Sequence, residues 1–143
     1  MAGVLDGQNI GVERLGIDDV SDLTRYEAVV LGSAVYMGQW LEPARNFVQR
    51  HRDELAARQT WLFSSGPIGD PPRPKAEEAV KVEEIADATK TAGHRLFAGR
   101  IDKSKLSFPE RAVIRAVGAK EGDYRDWDEI RGWAAQIAAQ LRR

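Results

Sequence analysis

Two short stretches carry the residues of this chain best suited to gripping a ligand. The first is 33–40, Ser-Ala-Val-Tyr-Met-Gly-Gln-Trp, in which small residues are interleaved with Tyr36, Met37 and Trp40. The second is 64–70, Ser-Ser-Gly-Pro-Ile-Gly-Asp. Each follows a run that reads as a buried strand: Ala28-Val29-Val30-Leu31 before the first, Thr60-Trp61-Leu62-Phe63 before the second. An open parallel sheet takes its ligands outside the carboxyl ends of its strands. Two such loops on neighbouring strands make a cleft, and an aromatic, glycine-containing wall suits a flat, partly apolar molecule. No Ser/His/Asp or paired-carboxylate arrangement stands out. His51 and His94 are isolated from any carboxylate at ligand spacing, so no metal site is expected.

The elements that must hold these loops alternate between strand and helix, the pattern of a parallel α/β sheet. Residues 9–16 (Ile10, Val12, Leu15) read as a short strand, and 18–25 as a polar connection with one helical turn. The strand 28–31 is expected to break at Gly32-Ser33. Pro43 opens a helix over 43–57 that places Ala44, Phe47, Val48, His51 and Leu55 on one face. The strand 60–63 follows. Proline-rich 66–74 is loop, a helix covers 75–91 with Gly93 beyond its end, and 94–99 is the last strand. Ser107 with Glu110 forms a capping box ahead of a short helix ending at Gly118. Asp126 starts a closing helix with Trp127, Ile130, Trp133, Ala134, Ile137, Ala138 and Leu141 inward. Trp61 is expected in the core.

At 143 residues the length suggests one domain, and 43% hydrophobic residues suffice for a core. A net charge of −1 gives no field that would steer the chain to nucleic acid. The absence of cysteine removes disulfides and thiol catalysis and fits a cytoplasmic setting. No apolar run reaches the length of a membrane span. Arg95, Arg100, Lys103 and Lys105 gather after the last strand, either as a solvated edge or as a contact for an acidic substrate or redox partner.

The segments YEAVVLGSAVYMGQWLEPARNFV, WLFSSGPIGD, HRLFAGRID and GDYRDWDEIRGWAAQIAAQL resemble the flavodoxin-like family. The likeness is greatest to flavodoxin-domain proteins related to menaquinone-dependent protoporphyrinogen oxidase, and it runs from about Asn9 to the end. It implies an open parallel sheet with helices on both faces, FMN as cofactor, and electron or hydride transfer carried out by the flavin itself. It implies FMN contacts from Ser33, Ala34, Val35, Tyr36, Met37, Gly38 and Trp40 on one side of the ring. Ser65, Gly66, Pro67, Gly69 and Asp70 would lie on the other. Tyr36 and Trp40 are the stacking candidates, Gly32 and Gly38 allow close backbone approach, and backbone N–H groups of the second loop face the pyrimidine edge. Asp70 reads as a turn residue.

The family opens with a strand and a Ser/Thr-Gly phosphate loop that this sequence does not contain; 1–5 resembles the last turn of the helix that follows them. The sheet is therefore expected either to close 10–15 against 28–31 or to accept a partner strand there, giving a homo-oligomer through the exposed edge. The electron donor, acceptor and substrate are open. An alternative of another class is a fold remnant without enzymatic activity that binds FMN weakly or not at all; a protoporphyrinogen oxidase-like enzyme is a third reading.

Overall fold

The apolar run beginning at Ala28 does not stop at Gly32. In the computed structural model it continues as strand β1, Ala28–Tyr36. The structure describes residues 1–66, 80–105, 107–109, 111–112 and 122–143. The chain reverses at Met37-Gly38 instead, into β2, Gln39–Trp40, which pairs antiparallel with Val35 and Tyr36. Both turn residues have positive φ, 52° and 76°. That mirror-image turn has the twist that matches two antiparallel strands.

Leu41 is extended, and with Pro43 in the first turn the chain enters α2, Glu42–Arg50. The single helix expected over 43–57 is interrupted at His51 (φ −109°, ψ 21°) and resumes as α3, Arg52–Ala56. His51 packs its ring 4.5 Å from that of Phe47 and sets Nδ1 2.8 Å from Glu54 Oε1. Glu54 also accepts the Leu23 N–H at 2.7 Å, tying the connection ahead of β1 to α3. Phe47, Val48 and Leu55 are buried despite the break.

Strand β3, Gln59–Gly66, lies parallel to β1, in register from Ala28 opposite Gln59 to Ala34 opposite Ser65. Thr60, Trp61, Leu62 and Ser64 are all buried, as a strand covered on both faces requires. The next described helix is α4, Glu83–Thr89. Its end differs from expectation: Lys90, at φ 50°, takes the left-handed position assigned to Gly93. Thr91 N–H then reaches back to the Ala86 carbonyl, as in a Schellman closure. Gly93 is instead the first residue of β4, Gly93–Ala98, which runs parallel to β3. The order across the sheet is β2-β1-β3-β4, with a separate two-stranded pair of β5, Arg100–Ile101, and β6, Gly122–Asp123. This is an α/β fold with an open, mostly parallel sheet.

The chain divides into two compact units, Ser21–Arg125, which holds the sheet, and Met1–Val20 with Asp126–Arg143. In the latter, α1, Ala2–Asp6, packs on α5, Trp127–Leu141. Asp126 caps α5 by accepting the N–H groups of Asp128 and Glu129, both at 3.0 Å. Trp133, Ala134, Ile137 and Ala138 are its buried stripe. Trp127, expected inside, is 47% exposed: it lies in line with Ala134 and Ala138, but at the first residue of the helix, more than a turn before the first buried one, Trp133.

Residues 9–16 form no strand. Val12 and Leu15 are exposed, and Glu13-Arg14 between Gly11 and Gly16 leave too little apolar surface to hold an edge. On the flank of β1 away from β3, pairing among the described residues is confined to Val35 and Tyr36. The expected loop over 67–74, the first part of the helix over 75–91 and most of the helix before Gly118 lie outside the described residues.

Candidate functional site

The parallel register of β1 and β3 places the carboxyl ends of both strands at one edge, with Ala34 beside Ser65. The β1–β2 hairpin stands at this edge. Tyr36 is 37% exposed and Met37 75% exposed. The hairpin is tethered at its tip, where Gly38 C=O accepts the Lys81 N–H at 2.8 Å. Met37 is unusual there. A first turn position with positive φ favours Asn, Asp or Gly, and a longer side chain costs about 1–2 kcal/mol.

Beside it in the sheet lies the end of β3. Ser65 is half-buried and Gly66 buried. Gly99, just past β4, comes so close that an added Cβ would lie 2.8 Å from the Gly66 carbonyl oxygen and 3.0 Å from Ser65 Oγ. Its N–H donates to that same carbonyl at 2.6 Å. Gly99 in turn accepts the Tyr124 N–H at 3.0 Å. Pro67, Gly69 and Asp70 lie outside the described residues.

Three sequence expectations change here. Trp40 is 1% exposed, so it is not a free stacking face. Its indole N–H donates to Ser64 Oγ at 2.7 Å, and Ser64 Oγ lies 2.8 Å from His94 Nε2. Ser33 likewise turns inward: its hydroxyl donates to Ala34 C=O at 2.8 Å and accepts the Leu41 N–H at 3.1 Å. Gly32 does not leave room for a ligand. The ring of Phe63 fills that space, with Cζ 2.1 Å from where a Cβ would stand. Ala34, Val35, Tyr36, Met37, Gly38 and Ser65 stand at the carboxyl edge of β1 and β3 or in the hairpin beside it. His94 carries no signal as a site residue in the sequence, and Ser64 stands there only as part of the second ligand-binding stretch; the strand register is what joins the two to Trp40.

The surrounding charge is largely satisfied within the fold. Arg100 faces Asp102 at 3.4 Å. Arg125 binds Asp123 through two nitrogens at 2.8 and 2.6 Å, and this side-chain hydrogen bonding lowers the Asp123 carboxyl to about 2. Asp102 is held below its ordinary value mainly by the Ser104 hydroxyl. Arg95 is exposed on β4. Among the described residues no cluster of His, Asp or Glu could hold a metal ion. None of the described helices is long and apolar enough to cross a membrane. An open depression of about 610 Å³, lined by Tyr26, Glu27, Arg58, Thr60 and Lys90, lies at the opposite, amino edge of the sheet.

Among the described residues, no helix start offers a ready seat for a phosphate. The anion sites of such sheets are helix N-termini with free N–H groups. The first turns of α2, α3, α4 and α5 carry Glu42, Asp53 with Glu54, Glu83 with Glu84, and Asp128 with Glu129. Carboxylates there already occupy the positive end of each dipole and repel a second anion. Helix α1, with five residues and no side-chain cap, is too short to offer such a site.

An α/β domain with a mostly parallel open sheet belongs to the broad class of folds that take their ligands at the carboxyl edge of the strands. The comparison with known families is specific: the flavodoxin domain model matches residues 1–128, and the chain belongs to that family. Its members generally bind FMN. No match is found among curated proteins.

Proposed function

We propose that this chain is a flavin-binding redox domain that holds an isoalloxazine ring between the β1–β2 hairpin and the end of β3. The observation that carries this reading is the pairing of Ala34 with Ser65, which sets an exposed, partly aromatic hairpin opposite a backbone wall at one sheet edge. Bound FMN supplies electron or hydride transfer; the protein's part is to bind and orient it. Tyr36 offers a half-exposed aromatic face and Met37 a polarizable one. The strain of Met37 is consistent with this, since unfavourable backbone conformations persist where a side chain is needed at a site. Gly38, Ser65, Gly66 and the flanking Pro67, Gly69 and Asp70 form the rest of the proposed contact set. Arg95 and Arg100 are the cations nearest in sequence to the last strand and are proposed contacts for an acidic partner.

The acidic helix starts favour a second reading on the same cleft: a domain that retains the ring site but binds FMN weakly and does not turn over. Hydrogen bonds to a charged group are worth about 1.5–3 kcal/mol each, so lacking two weakens FMN by about a hundredfold or more. Titration of FMN and riboflavin by flavin fluorescence tests both. Similar, weak affinities are expected. Tight, FMN-selective binding would overturn the weak-binding reading and locate a phosphate seat. No binding of either ligand would overturn the flavin assignment. Porphyrinogen oxidation with a quinone acceptor is a narrower proposal, tested by following porphyrin fluorescence in the flavin-loaded protein.

A further inference from the structure

The side-chain chain Trp40–Ser64–His94 spans the sheet from β2 to β4 beneath the cleft, and its proton arithmetic is constrained. An indole N–H can only donate, so one lone pair of Ser64 Oγ is taken by Trp40 at 2.7 Å. Ser64 is fully buried. Its hydroxyl proton has one partner within reach among the described residues, His94 Nε2, at 2.8 Å. If Nε2 carries no proton, the hydroxyl donates to it and every group is paired. If Nε2 carries a proton, Ser64 oxygen receives two donors and its own hydrogen is stranded in a buried site, which is costly. The arrangement therefore selects the imidazole protonated on Nδ1 with Nε2 as acceptor.

This matters because Trp40 is the base of the hairpin. It pairs with Val35, and Met37 and Gly38 follow one step further out. On the same sheet, Ser33 Oγ holds the Leu41 N–H just beyond Trp40. We propose that His94 is a positioning residue: as the Nδ1–H tautomer it fixes the direction of the Ser64 hydroxyl. Ser64 then fixes Trp40 and so sets the gap between the hairpin wall and the end of β3. His94 touches no ligand in this scheme. The consequence for flavin rests on reading the cleft as a flavin site; the tautomer and the hold on Trp40 do not.

The first test uses the ligand-free protein, labelled with ¹⁵N in its two histidines. Long-range proton–nitrogen correlation assigns the tautomer, with His51→Gln separating the two rings. Nδ1–H on His94 is expected; an Nε2–H or rapidly averaging ring overturns the proposal. The second test follows the Trp40 indole resonance, assigned by its loss in Trp40→Phe. His94→Leu is expected to shift or broaden that resonance alone among the four tryptophans. His94→Gln, whose side-chain oxygen can stand in for Nε2, should restore it. An unmoved Trp40 signal in His94→Leu refutes the role. If His94→Leu fails to fold, the wild-type tautomer and the His94→Gln spectrum still decide. In titrations, flavin affinity should fall about tenfold in His94→Leu, the equivalent of one hydrogen bond, and recover in His94→Gln. A wild-type chain that binds no flavin removes the proposed function while leaving the two spectroscopic tests standing.

Discussion

Gly32→Ala decides whether Gly32 serves a ligand or the core. An alanine Cβ would stand 2.1 Å from Phe63 Cζ and 2.4 Å from both Cε atoms. Carbon atoms rest about 3.5–4.0 Å apart, so the ring must retreat by about 1.5 Å. It is not free to do so cheaply, because Phe63 leans on Phe97 with ring centroids 6.2 Å apart. Overpacking of this kind costs about 1–3 kcal/mol. The strand itself gains from alanine, by about 0.5–1 kcal/mol, because glycine loses more backbone entropy on folding. The net expectation is a loss of about 0.5–2 kcal/mol in the native sequence. In a Phe63→Ala background the obstacle is gone, and the same substitution should be neutral or stabilising. Urea unfolding followed by far-ultraviolet circular dichroism, on the four proteins of the cycle, measures the coupling. A coupling of about 1–3 kcal/mol is expected. Additivity within about 0.5 kcal/mol would refute the packing argument. A Gly32→Ala protein of native stability that had lost flavin binding would restore the ligand role.

Met37→Asn should raise stability by about 0.5–1 kcal/mol in the same unfolding assay, since Asn tolerates the left-handed conformation at a mirror-image turn; a loss of stability would show that the Met37 side chain packs against something. Glu54 is held below its ordinary 4.5, first by His51 and then by the Leu23 N–H. A depressed folded-state value stabilises the fold above 4.5, and the contribution is lost as the pH falls through the folded value. Glu54→Gln should therefore be the less stable protein near neutrality, with the gap closing in acid; parallel stability curves would exclude this linkage. The flank of β1 over 28–34 is an apolar strand edge with no Lys, Pro or bulge to guard it. Light scattering should show a dimer at high protein concentration that Val30→Lys abolishes, and a monomer throughout would refute pairing through this edge.

What the sequence revealed of this fold is what local pattern controls. The buried strands announce themselves through β-branched and apolar runs, and Asp126 through its place before Asp128 and Glu129. The misses are long-range. Gly32-Ser33 reads as a turn only until Phe63, thirty-one residues on, is seen to fill the space that Gly32 leaves. The break at His51 coincides with contacts to Glu54 and Phe47, and the spacing of apolar residues is the same with or without it. Lys90 takes the left-handed role in place of Gly93 because Gly93 is already paired with Trp61 as the start of β4. The strand expected over 9–16 has the alternation, but Val12 and Leu15 are left exposed and bury too little to hold it.

The site shows the same division between what is local and what is not. A serine, a serine and a tryptophan at a strand edge read as ligand contacts, and here they are spent on one another. Ser33 holds Leu41, Ser64 holds Trp40, and both hydroxyls point into the fold. In the proposed site the polar side chains would fix the spacing of the walls, and contact with the flavin would fall to Tyr36, Met37 and the backbone. Backbone recognition depends on where strands lie, not on which residues line them. A change at His94, which lies beneath the cleft, should then disturb binding more than a conservative change at Ala34, which lies beside it.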